Sequence, residues 1–309
     1  MFAIIKHKWI FMSIAIVLMV ASALSVALQG FNLDTDFAGG MAVTYQINAD
    51  FTAADVQAVV DNALGSDKSP SSVQKSDDEV IIKFGFDNGL ETDEARSDFA
   101  LGKIEAISNA LVEKYGAGTE EAPVVSLKNQ DIVSPSTGMD LARSAFWMSI
   151  LACIAILIYV TFRFEFVSGV VAVFALVHDV LLLLGLYSVM RWSIDTNFIA
   201  AVLTVLGYSI NNTIVIMDRI RENTRHARKE TYAQIAGTSV MQTLNRSINT
   251  TITTLLTIGM VYILGVPSIK VFSLPIIIGI LIGFYSSVFV AGPLWATWRD
   301  SAVNAKKKA

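Results

Sequence analysis

The chain has 309 residues and a formal net charge of −4, with a mean hydropathy of +0.55. Hydrophobic residues make up 53% of it and charged residues only 16%, which excludes an ordinary soluble globular protein and offers no basic surface for nucleic acid. Its one cysteine, Cys153, excludes an intrachain disulfide.

Six apolar runs, residues 9–28, 141–162, 166–190, 197–217, 240–264 and 271–295, are each long enough to cross a hydrocarbon core of roughly 30 Å as a helix of about 20 residues. The first follows Lys6 and Lys8 and exceeds the roughly 7–15 apolar residues of a cleavable signal peptide, so it is read as a retained anchor. Basic residues in short loops mark the cytoplasmic side. Lys6, Lys8, Arg163, the group Arg219, Arg221, Arg225, Arg228 and Lys229, and the tail Arg299, Lys306, Lys307 and Lys308 all fall on one side of a six-span layout. Only Arg143, Arg191 and Lys270 border the other side. The expected organisation is a cytoplasmic N-terminus with the first span (1–30), an extracytoplasmic domain (31–138), spans two to six (139–298) and a cytoplasmic tail (299–309).

The segment 31–138 is polar and acidic, with 19 Asp and Glu against 7 Lys and Arg, as befits solvated surface. Residues 42–47 alternate as a strand, and 51–64 has helical spacing with Thr52 as its cap. A short strand near Val73 precedes a clearer one over 79–86. A long helix follows over 91–115, capped by Thr92 and stopped by Gly116 and Gly118, and a last strand runs over 123–133. That β-α-β-β-α-β order describes a small ferredoxin-like α+β domain. The segment holds no His, no Cys and no phosphate-binding glycine loop. Asp77-Asp-Glu79 reads as an acidic turn rather than a divalent-ion site, because further oxygen ligands are missing. Neither a metal, a cofactor nor an enzyme site is expected, and the domain reads as a binding module.

Polar residues inside the spans are expensive, so function is sought there. Span three carries His178 and Asp179; span four carries Thr204, Tyr208, Asn211 and Asn212; span five carries Asn245, Arg246, Asn249, Thr250, Thr253 and Thr257. Arg246, Thr250, Thr253 and Thr257 are spaced four, three and four apart and form one helical stripe. Asn212 and Arg246 lie at similar depth and are expected to meet across a helix interface. A buried guanidinium needs an acceptor, and Asp179 is the internal candidate, the alternative being that Asp179 stands alone in a water cavity. The threonines read as helix-to-helix glue. Gly207, Gly259, Gly279 and Gly283 read as points of close helix approach, the last two as an intramolecular GxxxG pair. The stretch 218–231 reads as a basic loop, reflecting topology or contact with anionic lipid.

Several strings, taken together and in order, carry a resemblance that covers essentially the whole chain. They are Asp34-Thr-Asp-Phe-Ala-Gly-Gly40, Phe162-Arg-Phe-Glu-Phe166, Val177-His-Asp-Val180, Gly207-Tyr-Ser-Ile-Asn-Asn-Thr-Ile-Val-Ile-Met-Asp-Arg-Ile-Arg-Glu-Asn223 and Asn245-Arg-Ser-Ile-Asn-Thr-Thr-Ile-Thr-Thr254. They resemble the SecF members of the SecD/SecF protein-export family. The family motifs fall here on Asp36, Phe37, Gly39, Gly40, Gly207, Asn211, Asp218, Arg219 and Arg221. The resemblance implies an RND-superfamily half in a bacterial inner or plasma membrane. It also implies pairing with SecD and association with the SecY-SecE-SecG channel, with SecA on the cytoplasmic side. The work implied is help to an unfolded preprotein, driven by the proton-motive force with protons as coupling ion. The family usually has Asp where this chain has Asn212, beside the arginine matching Arg246, and Asn cannot titrate. The coupling carboxylate is then replaced by design, lost naturally with SecD or another ion supplying the drive, or succeeded by Asp179. Other classes left open are a non-motor scaffold or insertion helper of the channel, and half of an RND-type lipid or small-molecule exporter. Gly39 and Gly40 are expected to turn the chain tightly between the first span and the outer domain, which is expected to move relative to the spans.

Overall fold

The structure, a computed structural model, describes residues 3–65, 72–86, 92–119, 123–163, 165–227 and 229–308. Glu91, Phe164 and Arg228, named above, lie outside the described residues. The order of elements is α1 (Ala3–Lys6), α2 (Lys8–Gln29), β1 (Asn32–Leu33), α3 (Thr35–Ala38), β2 (Gly40–Ile47), α4 (Ala53–Leu64), β3 (Ser72–Ser76), β4 (Glu79–Gly85), α5 (Asp93–Tyr115) and β5 (Val125–Val133). Then come α6 (Pro135–Arg163), α7 (Phe166–Met190), β6 (Ser193–Ile194), α8 (Thr196–His226), α9 (Tyr232–Leu264), α10 (Pro267–Tyr285), a π-helical segment (Ser286–Ala291) and α11 (Gly292–Lys308). Among the described residues, six helices are long and apolar enough to cross a membrane: Lys8–Gln29, Pro135–Phe162, Phe166–Met190, Thr196–His226, Tyr232–Leu264 and Ile269–Ser301. They coincide with the six expected runs, and the chain is a multi-pass membrane protein.

Between the first two of these helices lies a four-stranded sheet in the order β3-β4-β2-β5. Every neighbouring pair is antiparallel, and the expected short strand near Val73 is present as β3. Strand β2 buries Met41, Val43, Tyr45 and Ile47, the period-two face that the alternation of its residues dictates. Against that face α4 lays Val56 and Val60, and α5 lays Ala100, Ile104, Ile107 and Leu111 at spacings of four, three and four. Thr52 and Asp55 close a reciprocal capping box at the start of α4, and Gly116, at φ +94°, stops α5. The acidic turn Asp77-Asp78 joins β3 to β4, with Asp77 at φ +52°.

The phenol of Tyr45 is buried in this core, donating to the Ile104 carbonyl at 3.1 Å and lying 2.9 Å from the Ser108 hydroxyl. Burial pushes its pKa above the ordinary 10.0, partly offset by Ser108. A folded-state value above the unfolded one means that this contribution to stability is fully present below pH 10.0 and is lost as pH rises through the folded value. Tyr45→Phe, tested by thermal unfolding of the solubilised chain, is expected to flatten the alkaline loss of stability. At neutral pH it is expected to cost about 1 kcal/mol for the hydrogen bonds removed.

In the membrane bundle, α7 packs on α2 and α8, and α10 packs on α8, α9 and α7. Outside the bundle, β1 and β6 form a two-residue parallel pair that ties the exit of the first span to the loop before α8.

Candidate functional site

Three constellations stand out. The first is the joint at Asp34 to Gly40. Asp34 caps α3 through the Thr35 amide at 2.9 Å and forms an ion pair with Lys83 of β4. Two residues on, one Asp36 oxygen accepts from both the amide (3.1 Å) and the hydroxyl (2.7 Å) of Thr196, the first residue of α8. An anion at a helix N-terminus is stabilised by the partial positive charge there. Phe37 is buried among Leu176, Leu183 and Tyr187 of α7 and Phe198 and Val202 of α8. The seven-residue motif thus grips the outer sheet with one carboxylate and the start of span four with the other. Gly39 takes φ +80°, and a Cβ there would lie 2.7 Å from the Pro135 nitrogen at the start of α6; a Cβ on Gly40 would lie 2.2 Å from the Phe84 carbonyl oxygen. Both glycines make the expected tight turn because α6 and β4 leave no room for a side chain.

The second constellation is fully buried in the middle of the bundle. His178 and Asp179 of α7 are both 0% exposed. His178 Nδ1 and Asp179 Oδ1 are 2.9 Å apart, and the other carboxylate oxygen accepts from the hydroxyls of Ser209 on α8 and, at 2.9 Å, Ser286 at the start of the π-helical segment. His178 Nε2 is buried with no hydrogen-bond partner among the described residues, and the ring stacks on Tyr285 at 6.2 Å between centroids. Asp179 is therefore neither the partner of Arg246 nor alone in a water cavity: two hydroxyls and an imidazole satisfy it. Ser209 and Ser286 escape a reading of the sequence because serines in spans are common, and only the fold aims these two at one oxygen.

The third constellation is a polar face turned away from the rest of the chain. On α8 the buried face runs through Val202, Val205, Ser209, Asn212, Thr213 and Ile216, which leaves Thr204, Gly207, Asn211 and Asp218 exposed. On α9 the buried face runs through Val240, Thr243, Ser247 and Thr251, which leaves Arg246, Asn249, Thr253 and Thr257 exposed and Thr250 partly covered. Asn212 and Arg246 thus do not meet: Asn212 is 3% exposed, its Nδ2 has no partner among the described residues, and Arg246 faces outward. The expected stripe is real, but its face points out because the residues packed inward, Thr243, Ser247 and Thr251, form a face centred about a quarter turn away. The hydroxyls of Thr204, Thr250, Thr253 and Thr257 donate to carbonyls of their own helices four residues back. They are not interhelical glue; the bond from Tyr208 to Thr251, at 3.2 Å, joins α8 to α9 instead.

The glycines divide likewise. A Cβ on Gly279 would lie 2.3 Å from Val205, and one on Gly283 would lie 3.0 Å from Ser209, so this pair lets α10 approach α8 as expected. Gly207 and Gly259 have open space around them and bring no helices of this chain together. Most of the expected basic loop is helical, since α8 continues to His226 with Ile220 buried on its inner face. There Arg219 donates to Gln242 of α9 and to Glu222, while Asn223 donates to Ser239 and Gln242, clamping α8 to α9. At the same end, Glu165 accepts from Trp295 at 3.0 Å and pairs with Arg299.

Comparison with known proteins draws these features together. Residues 113–301 match the family model described as protein export membrane protein SecD/SecF, C-terminal. The protein translocase subunit SecF of Acidaminococcus fermentans is 36% identical over 304 residues, covering 96% of this chain and 97% of that protein. The protein translocase subunit SecDF of Bacillus subtilis is 33% identical over 95% of this chain, which spans 37% of that longer protein. The crystal structure of SecDF from Thermus thermophilus, described as a translocon-associated membrane protein, superposes with a TM-score of 0.75 at 29% identity. It covers 96% of this chain, which spans 38% of the solved one. The chain belongs to the SecD/SecF family of protein-export membrane proteins.

Proposed function

We propose that this chain is the six-span subunit that works with SecD to assist preprotein translocation through the SecY-SecE-SecG channel, using the proton-motive force. The observation that carries the pairing is the outward polar face of α8 and α9. Arg246 lies six residues, about 9 Å of helix, inside Val240, and a guanidinium at that depth needs a partner or water. Among the described residues no ion pair satisfies it. The SecDF relatives, in which a segment like this chain is part of one longer protein, support a SecD span as the cover. That cover brings the acceptor for Arg246 and fills the space over Gly207.

In this reading both termini are cytoplasmic, the membrane is the bacterial inner or plasma membrane, and SecA drives the preprotein from the cytoplasmic side. The outer α/β unit is a ferredoxin-like domain, supported by its β-α-β-β-α-β order with both helices on one sheet face, and it contacts unfolded preprotein. The work is transport, with protons as the coupling ion and neither a cofactor nor covalent chemistry. The test is co-purification. Thr253→Trp places an indole on the outward face, where overpacking costs about 1–3 kcal/mol, so the SecD recovered is expected to fall about fivefold or more. Val17→Trp, on an exposed face of α2, is expected to leave recovery unchanged. Equal recovery from both variants would place SecD elsewhere.

A further inference from the structure

We propose that His178 and Asp179 form the proton-binding site of this chain, and that its occupancy decides whether Ser286 bonds across the bundle or back into its own helix. The inference rests on the proton-coupled reading above and names the site for it. Four observations converge. The pair is 0% exposed; Asp179 is held by the three groups described; His178 Nε2 is an unpartnered buried nitrogen; and Ser286 opens a π-helical segment, a distortion found mostly at functional positions.

The groups around the pair leave it the titratable element at this point. From α8 come Ser209 and, three residues on along the same buried face, Asn212, which cannot titrate; Tyr208 is turned to Thr251 of α9. From α10 comes Tyr285, whose hydroxyl donates to the Phe11 carbonyl of α2 at 2.9 Å. From α6 comes Cys153, which lines a groove with Val177 and Val180. Residues 9–29 of α2 contain no ionisable side chain. Arg246 of α9 faces outward, and Arg299 of α11 is engaged by Glu165.

Chemistry assigns the protons. A carboxylate only accepts, so while Asp179 is ionised the imidazole carries its proton on Nδ1 and offers a free lone pair at Nε2. The pair then bears one negative charge, and three groups, the imidazole and the hydroxyls of Ser209 and Ser286, direct hydrogen bonds at the carboxylate. An arriving proton bonds to Nε2, the Nδ1 proton passes to Asp179 Oδ1, and the result is a neutral imidazole protonated on Nε2 beside a neutral acid. One N–H bond and one O–H bond form, one N–H bond breaks, and the charge goes from minus one to zero. Oδ2 is now the carbonyl oxygen of an acid and accepts more weakly. Ser286 has a second acceptor in reach, the Gly283 carbonyl at 3.2 Å, and its hydroxyl turns there. The bond from α7 to span six is replaced by one within span six, from the first residue of the π-helical segment back to Gly283 of α10. Both states satisfy the serine, which is what a two-state device driven by one ligand requires.

The test uses the chain with SecD, reconstituted in vesicles with the channel and SecA. It reads the increment in export caused by a proton gradient, and in parallel the infrared carbonyl band of protonated carboxyl groups with isotope-labelled aspartate. Asp179→Asn is expected to abolish the increment and remove one pH-dependent carboxyl band. His178→Gln is expected to keep the band and slow the gradient-driven step by about a hundredfold. Ser286→Ala is expected to keep the band and abolish the pH-dependent change in hydrogen exchange over 283–291. A full increment with Asp179→Asn, or no pH-dependent aspartate band in the unsubstituted complex, overturns the assignment. Should Asp179→Asn fail to assemble, the band in the unsubstituted complex and the two other variants decide. If a gradient leaves the unsubstituted complex unstimulated while the Asp179 band still titrates, it is the coupled export reading that fails and not the proton site.

Discussion

Replacing Phe37 by Ala is expected to destabilise the chain by about 3–5 kcal/mol and to loosen the outer domain from the spans. Phe37 is 5% exposed and is the apolar anchor of the joint, part of the core cluster to which α7 gives Leu176, Leu183 and Tyr187 and α8 gives Phe198 and Val202. It also borders the groove lined by Ala145, Ile150, Val180 and Val202, so part of the space it vacates is already open, which favours the lower end of that range. Phe37→Leu, closer in volume, is expected to cost less than about 1.5 kcal/mol. Asp36→Ala removes the acceptor of two bonds at the start of α8 and is expected to cost about 1–2 kcal/mol, less than two fully buried charged bonds because the site is partly wet. Thermal unfolding of the solubilised chain measures all three. A cost below about 1 kcal/mol for Phe37→Ala would mean that the domain is held by β1 and the polar bonds alone. If the outer domain transmits movement of span four, Asp36→Ala is expected to reduce export by more than its loss of stability explains.

Gly185→Leu is expected to be still more damaging, because no side chain can flex out of the way. A Cβ on Gly185 would lie 2.2 Å from Ser22 Cβ and 2.6 Å from Ser22 Cα, so the backbone of the first span itself occupies the space. Helices in lipid gain no hydrophobic energy by associating and rely on such close contact between small residues. Around it, Ser25 donates to Ser188 at 3.0 Å, and Ser188 donates to the Gly30 carbonyl at 2.9 Å. Pushing α2 off α7 breaks that chain as well, for a cost of about 3 kcal/mol or more. The expected result is loss of monodisperse protein on solubilisation. Gly185→Ala is expected to fall between the two and to be partly rescued by Ser22→Gly, since the pair is in contact and its effects are not additive. Full tolerance of Gly185→Leu would show that the first span does not sit against span three.

Much of the architecture was legible before any coordinates. The six spans follow from the length of apolar runs, and the outer domain's order of strands and helices follows from alternation, from Thr52 and Thr92 as caps and from Gly116 as a stop. Family motifs located the joint at Asp36 and Phe37 without saying what they touch. The partner of Asp36 is 160 residues away, and no local pattern carries that information. The same strings put Asn211 and Asn212 side by side, whereas the fold sends one outward and the other inward.

What the sequence by itself determined is therefore what transfer into lipid governs: which segments cross as helices and where polar groups interrupt them, but not their full length, since α8 and α9 run on past their apolar stretches to His226 and back to Tyr232. Only the tertiary structure decided which face of each span turns inward. In water an apolar stripe marks the buried face, but in a bilayer the lipid side is as apolar as the packed side, so the pattern of α8 and α9 cannot orient them. That choice rests on close contacts such as Gly279 on Val205 and on hydroxyls converging on Asp179. It settles that Arg246 faces out and that, among the described residues, His178 and Asp179 are the ionisable pair turned into the interior.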